Sequence, residues 1–169
     1  MNLTIATIAK QINASFEGDA SLLIDAISID SRSLQNGPHT LFFALIGPNN
    51  DAHSYIIDLI QQGVTHFVVQ YIPEDCVGKA HFLVVQNTLA ALQELASYHR
   101  SLFHFPVIGV TGSNGKTIVK EWLNFLLSPD YSIIRSPKSY NSQVGGFPCL
   151  CWRLPSNTIS EFSKLEFLR

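Results

Sequence analysis

The hydrophobic positions of this chain switch between helical and strand spacing from its first residues onward. Ile5, Ile8, Ala9 and Ile12 follow Thr4, a good N-cap residue, at the i, i+3, i+4, i+7 spacing of one helical face, and the pattern stops before Phe16 and Gly18. Apolar-rich runs at Leu22 to Ile29 and Leu41 to Ile46, with the turn-prone stretch Ser31 to His39 between them, predict two strands and a loop. Asp51 opens a predicted helix carrying Ile56, Ile57, Leu59 and Ile60, which Gly63 closes before a strand from His66 to Gln70. Tyr71 to Lys79 reads as a surface loop. Phe82 to Val85 is a further buried strand, and Thr88 is placed as the cap of a helix bearing Leu89, Leu92, Ala96 and His99. To about Phe103 this alternation describes a small α/β domain.

A second unit follows. Val107 to Val110 is a short apolar strand, Thr111 to Thr117 a glycine loop, and Val119, Trp122, Leu123 and Leu126 form a helical stripe behind it. Tyr131 to Arg135 is the next expected strand and Ser136 to Gly146 a loop, after which no clear period remains. Composition sets the limits: 169 residues with 46% hydrophobic and 14% charged side chains leave room for one domain plus a remnant. A net charge of -2 provides no basic footprint for nucleic acid or an anionic membrane. Cys76, Cys149 and Cys151 make an odd count without C-x-x-C spacing, which argues against disulfides or structural zinc and fits a reducing cytoplasm. Met1 to Ala14 lacks the pattern of an export signal, and no apolar run reaches the roughly 18 residues of a membrane span, so the expected location is cytoplasmic.

Candidate chemistry concentrates in Gly112-Ser113-Asn114-Gly115-Lys116-Thr117. Glycines let successive backbone N–H groups point at phosphate oxygens, and the following helix N-terminus adds partial positive charge. Lys116 suits the β- and γ-phosphates of a nucleotide triphosphate, and the Thr117 hydroxyl suits Mg²⁺. The longer pattern G-x-x-x-x-G-K-[ST] would place glycine where this chain has Val110. A glycine-rich turn with a solvated lysine is the blander alternative.

The segment Gly109 to Trp122 resembles the ATP loop of the Mur ligases, with their short form T-G-[ST]-[NS]-G-K-T. The following Lys120-Glu121 is similar to the branch that adds D-alanyl-D-alanine, and Ile118-Val119 with Trp122 to its version fused to an alanine racemase. Upstream, Ile29-Asp30-Ser31-Arg32, the run Leu41 to Gly47 and Asp51-Ala52-His53 resemble the family's UDP-binding domain, with Ala52 where glycine is usual. Tyr140 to Gly145 resembles the N-[NS]-x-x-G loop. The resemblance covers residues 1 to about 145 and implies residues 1–104 as a UDP-substrate-binding domain and 105–145 as the incomplete beginning of an ATP-binding domain.

The resemblance implies an ATP- and Mg²⁺-dependent amide-forming ligase of peptidoglycan precursor synthesis, joining D-alanyl-D-alanine to UDP-N-acetylmuramoyl-tripeptide through an acyl phosphate. Gly112 to Thr117 would hold ATP, Lys116 would act on the phosphates and Thr117 would ligate the metal. Ser31 and Arg32 would hold the uridine diphosphate, or else form a capped turn. Asn141 and Gln143 would orient substrate or water, or else form a polar turn. His53 is expected as a cap or partly buried histidine rather than a ligand, and Lys120 and Glu121 as solvated face residues.

Residues 146–169 leave the family pattern. Codons permitted for them, read from the third base of the Gly146 codon, include V-P-L-S-V-L and later G-I-F-E-A-G-I-S, so the tail is expected to be frameshifted, with a divergent C-terminus as the alternative. In that case Cys149, Cys151 and Trp152 carry no chemistry. The isolated chain is then expected to be an inactive, monomeric, aggregation-prone fragment exposing Val119, Trp122 and Leu126. The alternatives are a non-catalytic UDP-sugar or nucleotide-binding module, the diamino-acid-adding Mur ligase, and folylpolyglutamate synthetases, the last disfavoured by Lys120-Glu121 and Asp30-Ser31-Arg32.

Overall fold

Thr4 does what its position predicts: its hydroxyl accepts a hydrogen bond from Thr7 N at 3.3 Å and starts α1 (Ile5–Gln11), whose Ile5 and Ile8 are fully buried. The computed structural model describes residues 3–16, 18–32, 37–104 and 108–133. The chain forms two compact units, Met1–Tyr98 and His99–Arg169.

In the first unit five strands form one sheet in the order β2 (Ser15–Phe16), β9 (His81–Val84), β8 (His66–Val69), β5 (Thr40–Phe43), β4 (Ala26–Ser28). All neighbours are parallel except β2, which pairs antiparallel with β9. The short β1 (Leu3–Thr4) and β3 (Leu23–Ile24) pair with each other, and β6 (Ile46–Gly47) and β7 (Asn50–Asp51) form a hairpin. The predicted Leu22 to Ile29 strand is therefore two strands, broken at Asp25, whose N–H donates to His39 O at 3.2 Å. One half pairs with β1 and the other with β5, so the run serves two sheets.

Every residue of β5 and β8 is buried, as a parallel strand covered on both faces requires. Phe42, Phe67 and Phe82 point to one side, where they pack with Ile56 and Leu59 of α2 (Ile56–Gln61), Ala52, Val64 and Cys76. Leu41, Phe43, Val68 and Leu83 point to the other side, and the remaining buried stripes of this unit are those of α1 and α3 (Thr88–Ser101). Burial pushes the Cys76 thiol above its ordinary pKa.

Asp51 caps a one-turn 3₁₀ helix (Ala52–Tyr55) that leads into α2, and Gly63, with φ of 91°, takes the left-handed conformation that ends it. The cap of α3 is Asn87, not Thr88: Asn87 Oδ1 accepts from Ala90 N at 2.9 Å, whereas Thr88 is buried and its hydroxyl accepts from Gln70 Nε2 at 3.4 Å. In the second unit α4 (Lys116–Leu127) forms as the periodicity predicts. No strand is present at 108–110 or 131–133, the described parts of the two strands expected there, since a strand needs a ladder partner. Residues 107 and 134–135 lie outside the described residues, as does the expected loop and everything after it.

His66 opens β8 buried, with Nδ1 sharing a hydrogen bond with Thr65 Oγ1 at 2.8 Å and its ring stacked on His81 at 4.9 Å. Its Nε2 has no hydrogen-bond partner among the described residues. Burial, then the neighbouring His81, lowers its pKa from 6.5 to about 4. Between these two values the unfolded chain binds a proton that the folded chain does not, so stability falls as pH drops from 6.5 toward 4. The urea midpoint is expected to fall across this window and to fall less in His66→Phe. An equal fall in both chains would sink the assignment.

Candidate functional site

Parallel strands end on the same edge, so the loops after β4, β5, β8 and β9 gather Asp30, Ser31, Arg32, Asp51, His53, Tyr71 and Asn87 at one side of the sheet. Ligands of open parallel sheets bind outside this edge.

After β4 the chain turns on its own side chains. Ser28 Oγ donates to Asp30 O at 3.1 Å and accepts from Asp30 N at 3.4 Å. Asp30 Oδ1 accepts from Arg32 N at 3.0 Å and from Arg32 Nε at 2.9 Å, while Oδ2 accepts from Nη2 at 2.8 Å. The Arg32 hydrogen bonds hold the Asp30 carboxyl down to about 2. Ser31 and Arg32 line a cleft of about 370 Å³ with Tyr55, Asp58, Leu59 and Gln62, a size that suits a small ligand. The structure thus brings Ser31 and Arg32 together in a cleft and also gives Asp30 the capped turn that was the alternative. Tyr55, Asp58 and Gln62 were missed by sequence reasoning. Their signal is faint but present: residues 55, 58 and 62 stand at i, i+3 and i+7 and bracket the buried Ile56 and Leu59 of α2.

Asp51 is the hub of the neighbouring loops. Its carboxylate accepts from His53 N at 2.9 Å, His53 Nδ1 at 2.6 Å and the Tyr71 hydroxyl at 2.6 Å. His53 Nε2 accepts from Gln70 N at 3.1 Å, which fixes the tautomer with the proton on Nδ1. The buried ring stacks on Tyr71 at 4.2 Å and 9°. Both ring nitrogens are used, so His53 pins the end of β8 to the start of the 3₁₀ turn and has no lone pair left for a ligand, as its expected structural role requires. Partial burial would raise the Asp51 carboxyl, but the hydrogen bonds from Tyr71 and His53 outweigh it and hold it below its ordinary value. The same bond raises the Tyr71 phenol.

In the second unit Gly112 has φ of 143° and Gly115, the N-cap residue of α4, φ of 76°, conformations that L side chains rarely adopt. Lys116 Nζ donates back to Gly112 O and to Ser113 O, the latter at 3.3 Å. The loop is thereby curled around its own cation, with Ser113 and Asn114 exposed and Thr117 in the first helical turn. This concave run of backbone at a helix start fits a nucleotide phosphate, and the Thr117 hydroxyl is a hard oxygen of the kind Mg²⁺ would accept. Ile118, Val119, Trp122, Phe125 and Leu126 are exposed along α4, as expected for Val119, Trp122 and Leu126. Asn141, Gln143, Cys149 and Cys151 lie outside the described residues. Among the described residues no helix is long and apolar enough to cross a membrane, and no group of three or more His, Cys, Asp and Glu side chains could hold a metal ion.

No family profile matches the chain. It is 29% identical over 165 residues to the UDP-N-acetylmuramoyl-tripeptide–D-alanyl-D-alanine ligase of Bacillus subtilis, an alignment covering 96% of this chain and 35% of the relative. Identity to a cyanobacterial ligase of the same name, from Synechocystis, reaches 39% over 124 residues, 72% of this chain and 26% of the relative. The crystal structure of MurF from Acinetobacter baumannii superposes with a TM-score of 0.81 at 26% identity, covering 92% of this chain and 34% of that one. MurF from Thermotoga maritima, solved in complex with ADP, gives 0.66 at 25% identity, covering 77% of this chain and 29% of that one. The chain spans about a third of the length of the relatives it matches.

His53→Ala leaves the Gln70 N–H without its partner and removes the Nδ1 bond to Asp51 Oδ1, which keeps only the backbone N–H of residue 53, and is expected to cost about 2–3 kcal/mol in urea denaturation, against under about 1 kcal/mol for Tyr71→Phe at its exposed hydroxyl. Equal losses would remove His53 as the pin.

Proposed function

This chain belongs to the Mur ligases of the MurF type, whose members it spans to about a third of their length, and we propose that it supplies the nucleotide-sugar domain and the phosphate loop of an ATP-dependent, amide-forming ligase of peptidoglycan precursor synthesis. The substrates on this reading are UDP-N-acetylmuramoyl-tripeptide and D-alanyl-D-alanine, and the setting is the cytoplasm. The observation that carries it is the Gly112 to Thr117 loop, in which a left-handed Gly115 starts α4 and Lys116 is folded into the concavity.

The uridine diphosphate end of the substrate sits in the cleft of Ser31, Arg32 and Tyr55, where a hydroxyl and a guanidinium meet phosphate oxygens. The triphosphate of ATP takes the place of the loop carbonyls as the partner of Lys116. The γ-phosphate passes to the peptide carboxylate, giving an acyl phosphate and ADP. The amine of D-alanyl-D-alanine then attacks the acyl carbon, and phosphate leaves from the tetrahedral intermediate. Crowding of anions makes up much of the barrier, so Lys116 acts by neutralising charge on the β- and γ-phosphates. Thr117 would hold a Mg²⁺, which when bound would supply Lewis-acid charge neutralisation. ADP in the Thermotoga maritima structure supports the nucleotide part of this reading.

Titration of the chain with a fluorescent ATP analogue in the presence of Mg²⁺ is expected to show binding that weakens at least about tenfold in Lys116→Ala and several-fold in Thr117→Ala. Calorimetry with UDP-N-acetylmuramoyl-tripeptide is expected to show binding that weakens in Arg32→Ala. Sugar-nucleotide binding without any for ATP would favour a non-catalytic binding module instead. Binding of neither would overturn the proposal.

A further inference from the structure

Arg32 is exposed, and a long exposed guanidinium is ordinarily free to point in many directions, which is a poor way to meet a phosphate in two-point geometry. Here one carboxylate restrains both its backbone and its side chain. Asp30 Oδ1 accepts from Arg32 N and Nε together, and Oδ2 takes one N–H of Nη2. The guanidinium is therefore held along the edge that carries Nε and Nη2. A guanidinium has five N–H donors, and these two bonds leave the fork formed by Nη1 and the second N–H of Nη2, in the same plane and facing away from Asp30. Asp30 is itself anchored, since Ser28 Oγ bonds to both its N–H and its carbonyl at the end of β4.

We propose that Asp30 is a positioning residue for phosphate recognition: it grips one edge of the Arg32 guanidinium so that the opposite fork is presented, pre-oriented, to a phosphate of the uridine nucleotide. This rests on the reading of the Ser31 and Arg32 cleft as the uridine diphosphate site. Two effects of Asp30 compete. Its charge repels a phosphate and partly neutralises Arg32, while its two-point hold removes the rotational freedom that binding would otherwise have to remove. Water and salt weaken the repulsion across the distance from Asp30 to the phosphate more than the two hydrogen bonds made at contact, so orientation outweighs charge. A lysine at position 32 would keep the charge without the second edge, and so would not substitute.

The test compares UDP with uridine, whose difference in affinity isolates the phosphate contribution, by calorimetry on the whole chain. UDP is expected to bind the unsubstituted chain more tightly than uridine. In Asp30→Ala that advantage is expected to shrink about tenfold with uridine binding unchanged, Arg32→Lys and Arg32→Ala to match it, and Asp30→Ala with Arg32→Ala to lose no more than Arg32→Ala alone. Asp30→Asn, which keeps an oxygen for the Arg32 N–H and so preserves the turn, is expected to fall in between, and its melting temperature reports whether the fold is intact. Unchanged or tighter UDP binding in Asp30→Ala and Asp30→Asn, with Arg32→Ala still weakened, overturns the role of Asp30 and leaves the phosphate site standing. If the unsubstituted chain shows no preference for UDP over uridine, the site assignment falls and the role of Asp30 with it.

Discussion

The burial of β5 and β8 on both faces is the constraint from which the rest of the first unit follows. A strand with no exposed face can carry no chemistry along its length, so polar side chains can collect only where strands end. Because β4, β5, β8 and β9 run in one direction, those ends coincide, and four separate loops converge on one edge. The same sheet that excludes water from Phe42 and Phe67 thus places Asp30, Asp51 and Tyr71 on a common edge.

Convergence alone would leave loops of independent geometry. Two carboxylates remove that freedom by accepting several bonds each: Asp51 joins the hairpin of β6 and β7, the 3₁₀ turn and the end of β8 through His53 and Tyr71, and Asp30 joins the backbone and side chain of Arg32. Tyr55, on the cleft, belongs to the turn that Asp51 caps, and its hydroxyl donates to Asn50 Oδ1 at 2.9 Å. Order at the cleft is therefore inherited from hydrogen bonds a few residues away, with the apolar core as the fixed support.

Local signals were the legible ones. The isoleucine stripe behind Thr4, the apolar face opened by Asp51 and the glycine loop before α4 each declare themselves within one or two turns of chain, and the structure contains all three. What depended on a distant partner was harder to see. The split at Asp25 is invisible in an unbroken apolar run, because only pairing with β1 on one side and β5 on the other divides it. Asn87 and Thr88 are equally good cap residues, and the choice is made by Gln70, far away in sequence, engaging Thr88. Only a faint local spacing marks Tyr55, Asp58 and Gln62, which become cleft residues because Ser31 and Arg32 of the turn after β4 lie beside them. Of the candidate site residues, Ser31, Arg32 and Gly112 to Thr117 could be proposed from the sequence because each group is contiguous.

Gly115 begins α4 with a residue that has no side chain to offer the helix, and the helix proceeds for twelve residues without that cap. Most helices finish their own beginnings with a serine, threonine or aspartate. On the proposed reading an anion held by the loop would take over that task, so that occupancy of the loop and the firmness of the helix behind it would become one equilibrium. A nucleotide bound there would be a part of the secondary structure, supplied from solution.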